Sequence, residues 1–189
     1  MAGVASTDES CRNPRRRRRD PRHLGSRTAT EGYRTVGIAF SSDTVITRCD
    51  FYRRCGLPAE IDPSGELITF RTGNIGAITV PSALAAQVRL HLRDRGIDGG
   101  PIISHLRSKR WTFVVIPGVP DQWQLEGELF RLNVSVAGAG AEIALPAPTP
   151  ASAAVRCWVQ GPAGRSWPSG ATVIEALRSC RSKAAWVIE

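Results

Sequence analysis

The residues best suited to bind a ligand surround the turn of a predicted central β-hairpin. Its strands are the short apolar runs 101–104 and 111–116, and its turn covers 106–110. Clustered cations in such a turn displace counterions from phosphate groups, and an aromatic ring beside them can stack on a base. Three arginines elsewhere in the chain are further candidate phosphate contacts. The sequence therefore predicts a nucleic-acid-binding site that contains Arg71, Arg89, Arg93, His105, Arg107, Lys109, Arg110 and Trp111.

Two of these residues have an alternative structural interpretation. His105 is either a base or phosphate contact or a hydrogen-bonded histidine at the end of a strand. Trp111 either presents its ring to a ligand or faces the core as a strand residue. The sequence leaves both alternatives open.

The sequence argues against catalysis. It has no Gly-x-Ser-x-Gly, phosphate-loop or dinucleotide-binding glycine pattern. Its five cysteines form no Cys-x-x-Cys pair and no Cys/His cluster at zinc spacing, which is typical of reduced cysteines in a cytoplasmic protein. Asp62 and Glu66 flank a Pro-Ser-Gly turn, where acids form turn hydrogen bonds. We expect no catalytic residue, no bound metal and no cofactor.

The charge is unevenly distributed. The chain has 189 residues and a net charge of +8. Its length and its hydrophobic content of 42% suffice for one domain with a core. Residues 1–34 hold nine basic and four acidic residues without apolar periodicity, so we predict a disordered basic head there, a single domain over 35–181 and a short tail over 182–189.

The arginine run 15–19 in the head has three interpretations. It could bind nucleic acid, it could be a solvated tail without a partner, or translation could start downstream, near Val4 or Val36.

No apolar run reaches the ~20 residues that span a bilayer, so we expect no membrane partner and a cytoplasmic location. The 23 arginines against two lysines indicate a GC-rich genome, such as an actinobacterial one.

The first half of the domain predicts elements that lead to the hairpin. Asp43 is expected to cap a helix over 44–55, which ends at Gly56. Strands over 66–70 and 75–80 are expected to form a β-hairpin. A helix capped by Ser82 follows, with Leu84, Val88 and Leu92 on one face, and it ends before Gly96.

The second half predicts a helix over 122–132, strands over 134–136, 142–145 and 155–159, and a last helix capped by Ser169. The prolines at 146, 148 and 150 indicate a stiff surface loop. Because helices and antiparallel hairpins are interspersed, the predicted class is α+β, with a mixed, largely antiparallel sheet and flanking helices.

The succession of several segments carries a family resemblance. These segments are TVPSALAAQVRLHL, GPIISHLRSKRWTFVVIPG, SVAGAGAEIALPAPT, VRCWVQGP and WPSGATVIEAL. Together, over about residues 66–181, they resemble the N-terminal primase-polymerase domain of actinobacterial and phage replication proteins. The chain is more closely similar to short actinobacterial proteins that are degenerate versions of that domain.

The resemblance implies where catalytic residues would lie. An active member holds two divalent metals, about 4 Å apart, with an Asp-x-Asp pair on one strand and a third acid before the glycine-rich turn. Here the matching strand, 77–80, has no acid, and the third position is Ser135. The family also has a Ser-x-His element on the next hairpin. His105 is the only residue left near that element, and it follows Ser104 directly rather than at the family's spacing. We therefore expect a pseudoenzyme without polymerase activity.

Three functions follow from these observations. The first is a non-catalytic nucleic-acid- or nucleotide-binding protein, associated with replication or transcription. The second is a protein-interaction or regulatory module, which an exposed apolar patch around Trp123, Trp167 or Trp186 would favour. The third is an enzyme of another type, which would need a cleft with converging titratable groups.

Overall fold

The computed structural model describes residues 43–119, 123–153, 155–163 and 167–184 of the protein. These residues form an α+β structure with two antiparallel sheets, so the predicted class is confirmed, while the single expected sheet is replaced by two. The elements in chain order are α1 (Val45–Arg54), β1 (Glu60–Ile61), β2 (Ile68–Arg71), β3 (Gly76–Pro81), α2 (Ser82–Asp94), β4 (Ile102–His105), β5 (Arg110–Val115), α3 (Trp123–Arg131), β6 (Ser135–Val136), β7 (Glu142–Leu145), α4 (Pro150–Ala153), β8 (Arg156–Gln160) and α5 (Gly170–Ala184).

The larger sheet is built around the predicted central hairpin. Its strand order is β6–β3–β5–β4–β8, and every pairing in it is antiparallel. The hairpin of β4 and β5 is confirmed, but Arg110 is paired with His105 inside the sheet, so the turn covers only residues 106–109. Lys109 closes this turn with a φ of 51°, a left-handed conformation that is unfavourable for residues other than glycine.

One face of this sheet packs against helices. Because side chains alternate along a strand, Trp111, Phe113 and Val115 of β5 point to the same side, where they join one hydrophobic cluster. The predicted stripe of α2 contributes Val88 and Leu92 to this cluster. Each fully buried side chain of this size stabilises the fold by about 1.5–3 kcal/mol.

The opposite face packs against α1 and the three-stranded sheet β1–β2–β7. Its hydrophobic cluster includes Tyr52 of α1, Phe70 of β2 and Val114 of β5, all nearly inaccessible to solvent. The buried phenol of Tyr52 donates to the carbonyl of Pro146 at 2.7 Å and accepts from the indole of Trp158 at 2.8 Å. This hydrogen bonding satisfies the phenol group, which would be costly to bury unpaired.

The predicted hairpin of 66–70 with 75–80 is wrong. β2 pairs with β1 and β7, whereas β3 pairs with β5 and β6 in the other sheet. Between them the chain is anchored to the loop before β7, because the amide of Thr72 donates to Ala141 O and its carbonyl accepts from Gly140 N, both at 2.9 Å. The local pattern predicts a strand but does not specify its partner.

Two predicted caps are wrong and one is confirmed. Thr44, not Asp43, caps α1, because its hydroxyl accepts from the amide of Thr47 at 3.2 Å, while Asp43 pairs with Arg48. Ser82 lies inside α2, which starts after Pro81 without a side-chain cap. Ser169 does cap α5: its hydroxyl accepts from the amide of Thr172 at 3.1 Å.

The remaining predictions concern the ends of the chain, its surface and its cysteines. The head and its arginine run lie outside the described residues, and α5 continues to Ala184, into the predicted tail. Pro146 and Ala147 are buried rather than part of a surface loop, and α4 begins at Pro150. The four described cysteines are free, and among the described helices none is long and apolar enough to cross a membrane.

Candidate nucleic-acid interface

A groove of about 620 Å³ lies between α2 and the strands β4, β5 and β8. We call it the α2–β8 groove. Its size lies within the range of small-molecule sites. The lining includes Ala83, Ala86 and Arg89 of α2, Lys109 and Trp111 of the hairpin, and Val159 of β8.

Lys109 lies at one end of the groove, beside the start of α2. The amide of Ser82, the first residue of the helix, donates to the carbonyl of Lys109 at 2.9 Å. This bond holds the turn of the hairpin against the helix terminus. The N-terminal end of a helix carries a partial positive charge, so it adds to the positive potential produced by Lys109.

Arg89 lies further along the same helix. Seven residues at 1.5 Å each separate it from Ser82, which is about 10 Å. Its Nε donates to Gln160 Oε1 at 3.4 Å, and Gln160 in turn donates from Nε2 to Asp98 Oδ1 at 2.6 Å. Asp98 thus orients the amide so that its oxygen faces Arg89. Within the described part of the chain this bond engages only Nε of the guanidinium, and both Nη groups remain for a ligand.

The charged side chains in the described lining of the groove are all positive. Among the residues that the structure describes, its lining contains Arg89 and Lys109 but no aspartate or glutamate. An anionic ligand would meet two cations and no like charge. Low-dielectric walls such as Ala86 and Val159 strengthen this attraction relative to bulk water.

Trp111 is mainly a core residue. Its side chain is 6% exposed and belongs to the cluster on the helical face of the sheet. This settles the alternative in favour of the core. The ring therefore exposes little surface to the groove for stacking on a ligand.

On the opposite face of the same sheet a row of polar side chains crosses four strands. Register places Ser135 opposite Thr79 and Thr79 opposite Thr112, and the two threonine hydroxyls are 2.8 Å apart. Arg110 donates to the Thr79 carbonyl at 3.0 Å and to Ser135 Oγ at 3.4 Å. His105 Nε2 lies 2.8 Å from Thr112 Oγ1. We call these five residues the polar row.

The surroundings of His105 in the polar row disfavour its charged form. Burial lowers the pKa of His105 below its ordinary value, and the positive charges of Arg156 and Arg110 lower it further. Its ring is also engaged by Thr112, since Nε2 lies 2.8 Å from Oγ1. The structural interpretation of His105 is therefore the one that its environment favours.

Among the described residues of the lining, Cys157 and the imidazole of His105 are not paired as nucleophile and base. Cys157 and Lys109 line the groove, and so does part of His105, but the His105 ring bonds to Thr112 on the other face. Cys157 is adjacent to Trp158, whose indole packs edge-to-face on Tyr52 at 5.6 Å on that other face. Because successive side chains of a strand point to opposite faces, Cys157 points to the helical face of the sheet, away from the imidazole of His105. Within the described residues no group of three His, Cys, Asp or Glu side chains could hold a metal ion.

The structure separates the eight predicted residues. It brings Arg89, His105, Lys109 and Trp111 to the lining of the α2–β8 groove. Arg107 is exposed in the turn 106–109, and Arg93 is exposed on α2, one helical turn beyond Arg89. Arg110 points to the polar row. Arg71 lies in the other sheet, where it pairs with Glu142 at 3.3 Å.

Sequence reasoning missed the contribution of β8. Cys157 and Val159 line the groove, and Gln160 orients Arg89. Arg156 lies opposite His105 in the register and adds positive charge near the turn. The strand itself was predicted, but no local signal indicated that it pairs with β4.

Comparison of the chain with protein-family models, with curated proteins and with solved structures finds no match.

Proposed function

We propose that the protein is a non-catalytic binding protein for nucleotides or nucleic acid, and that the α2–β8 groove binds the phosphate. The observation that carries the proposal is the pair Arg89 and Lys109 in a groove whose described lining has no acid. The start of α2 adds its partial charge beside Lys109. Affinity should fall steeply with salt and depend little on base identity, because phosphate contacts release counterions but do not read sequence.

The polar row supports the non-catalytic part of the proposal. If the chain has a primase-polymerase-like scaffold, the carboxylates of an active member would meet where Ser135 faces Thr79. Hydroxyl groups occupy these positions here, and the guanidinium of Arg110 reaches both residues. A fixed positive charge disfavours a divalent cation at the same place. We therefore propose a degenerate scaffold without polymerase activity.

The test measures fluorescence anisotropy of a labelled six-nucleotide oligothymidylate with the full chain. All proteins carry glutamine in place of the arginines at 15–19, so that the head does not contribute charge. Arg89→Gln combined with Lys109→Gly should weaken binding about tenfold at low salt, since it removes two phosphate contacts. Glycine is chosen at 109 because it favours the φ of 51° seen there. The control for the loss of one charge is Arg54→Gln on α1, in another layer, which is compared with Arg89→Gln alone.

A second readout uses two half-buried cysteines. Cys157 lines the groove, whereas Cys55 follows α1 and its thiol donates to the carbonyl of Pro162 at 3.5 Å. Saturating oligonucleotide should slow alkylation of Cys157 and leave the rate at Cys55 unchanged. Equal rates with and without ligand at Cys157, or full binding by the double variant, would refute the proposed site.

One observation favours a protein-interaction module instead. Phe130 of α3 is 84% exposed, and large exposed apolar groups often mark protein contacts. The predicted apolar patch around the tryptophans does not support this second function. Trp167 packs against the hydrophobic cluster of the second sheet. The side chains of Trp123 and Trp186 lie outside the described residues. Absence of any oligonucleotide binding would favour this second function.

A further inference from the structure

Four cations lie in sequence from α2 to the turn of the hairpin. Arg93 and Arg89 are one turn apart on α2, so they share a face of that helix. Lys109 lies beside the start of α2, and Arg107 is exposed in the same turn, two residues before it. Arg89 and Lys109 line the groove, while Arg93 and Arg107 are not part of its lining.

The length of this line exceeds what one nucleotide can contact. From Ser82 to Arg93 the helix rises about 16 Å, and the turn that holds Lys109 and Arg107 is hydrogen-bonded to Ser82 at the start of the helix. A single nucleotide would leave the outer cations without a phosphate. A polymer with regularly spaced phosphates would engage all four.

The interior of the groove fits an unpaired strand. The groove holds about 620 Å³ between a helix and a sheet, which is a cleft rather than a broad surface. Bases of a single strand could enter against Ala83, Ala86 and Val159, which are apolar. A duplex would present its phosphates on the outside of a cylinder and could not place them inside this cleft.

Two acids of the described chain lie close to the line. The carboxylate of Asp98 accepts from Gln160 and from the amide of Gly100. Asp94 pairs with Arg93 at 3.3 Å, but both side chains are about 70% exposed (72% and 69%). Exposed ion pairs of this kind contribute little, so a phosphate can take the place of the carboxylate. The remaining charge is complementary to a polyanion.

We infer that the occupant of the α2–β8 groove is a single strand of nucleic acid that runs along α2 toward the turn 106–109, rather than a free nucleotide. The inference rests on the proposed function and specifies its ligand. Arg93 and Arg107 then contact phosphates of the strand outside the groove. They affect only ligands that are long enough to reach them.

The experiment compares ligands of different length on the full chain with glutamine at 15–19. The ligands are thymidine monophosphate, oligothymidylates of three and twelve nucleotides, a twelve-nucleotide oligouridylate, a twelve-base-pair duplex and a twelve-residue polyglutamate. Affinity should rise more than tenfold from the monophosphate to the twelve-nucleotide strands. A preference between the thymidylate and the uridylate identifies DNA or RNA as the source of the strand.

Arg93→Gln combined with Arg107→Gln provides the decisive variant. For the twelve-nucleotide strand it should reduce the slope of log affinity against log salt by about 1.4, since each single-strand phosphate contact contributes about 0.7. Binding of the monophosphate should change less than twofold. Arg54→Gln is again the control for the loss of one charge, and it is compared with Arg93→Gln alone and with Arg107→Gln alone.

The results distinguish a failure of the strand inference from a failure of the proposed function. If the monophosphate binds as tightly as the twelve-nucleotide strand, or the double variant keeps the salt slope, the strand inference fails while the groove remains a nucleotide site. Equal or tighter binding of the duplex or of polyglutamate also overturns the inference. If no phosphate ligand binds at all, the proposed function fails together with it.

Discussion

The two faces of the central hairpin use cations in opposite ways. On the helical face, Lys109 and Arg89 line a groove, and one weak hydrogen bond at 3.4 Å engages Arg89 within the described residues. On the other face, Arg110 donates to the carbonyl of Thr79 and to the side chains of Asn133 and Ser135. Residues 109 and 110 are neighbours in sequence but belong to different environments.

The difference shows that a cluster of charges in a sequence is not one site. A cation that is already hydrogen-bonded to neutral groups of the protein must give up those bonds to contact a ligand. A cation at the mouth of a groove exchanges only water. For this reason Arg110 is expected to stabilise the fold, whereas Lys109 and Arg89 are expected to bind.

The largest expected effect tests whether Trp111 belongs to the core or to the groove. Trp111→Ala should lower the free energy of unfolding by about 3–5 kcal/mol, because it removes a large side chain that is 6% exposed. Trp111→Phe, which keeps an apolar ring, should cost much less. Urea unfolding measures both. A small loss of stability with a large loss of oligonucleotide binding would instead assign the ring to the groove.

An intermediate effect is expected at Arg110. Arg110→Leu should lower the free energy of unfolding by about 1–2 kcal/mol, because hydrogen bonds from a charged group to Asn133, Thr79 and Ser135 are lost. Arg107→Leu is the matched control in the exposed turn and should leave stability nearly unchanged. Oligonucleotide affinity should respond in the opposite order. If Arg110→Leu weakens binding more than Arg107→Leu does, the two faces are not functionally distinct.

The smallest effect concerns pH. The pKa of His105 is lowered in the folded protein by burial and by the charges of Arg156 and Arg110. The unfolded chain therefore takes up a proton at higher pH than the folded protein does, so stability is present above the ordinary histidine pKa and is lost as the pH falls through it. The free energy of unfolding should fall more steeply between pH 7 and pH 5 in wild type than in His105→Gln. Identical pH profiles would show that His105 is not the responsible group.

Much of the local structure could be predicted from the sequence. The spacing of Val88 and Leu92, followed by Gly96, predicts α2 and its end, and Gly96 indeed has a φ of 71°. The apolar runs around 106–109 predict the hairpin. These features depend on neighbours within a few residues, so the sequence contains the information directly.

The candidate site could be predicted only in part. The basic turn and the arginines of α2 were candidates from charge alone, and two of the cations, Arg89 and Lys109, line one groove. The separation of Arg110 from Lys109 depends on the strand beginning at residue 110 rather than 111. A shift of one residue in a strand exchanges the two faces, which is finer than sequence patterns resolve.

What the sequence determined by itself is therefore the identity of most helices and strands, though not of β1 or α4, the excess of positive charge and the lack of acids at 77–80 and 135. The tertiary structure decided which strands are neighbours: β2 and β3 lie in different sheets, and β8 adjoins β4 across about fifty residues of chain. Strand pairing is a long-range contact whose hydrogen bonds are the same for any partner. Only the packing of both sheet faces selects among partners, and it places the groove where α2 meets β8.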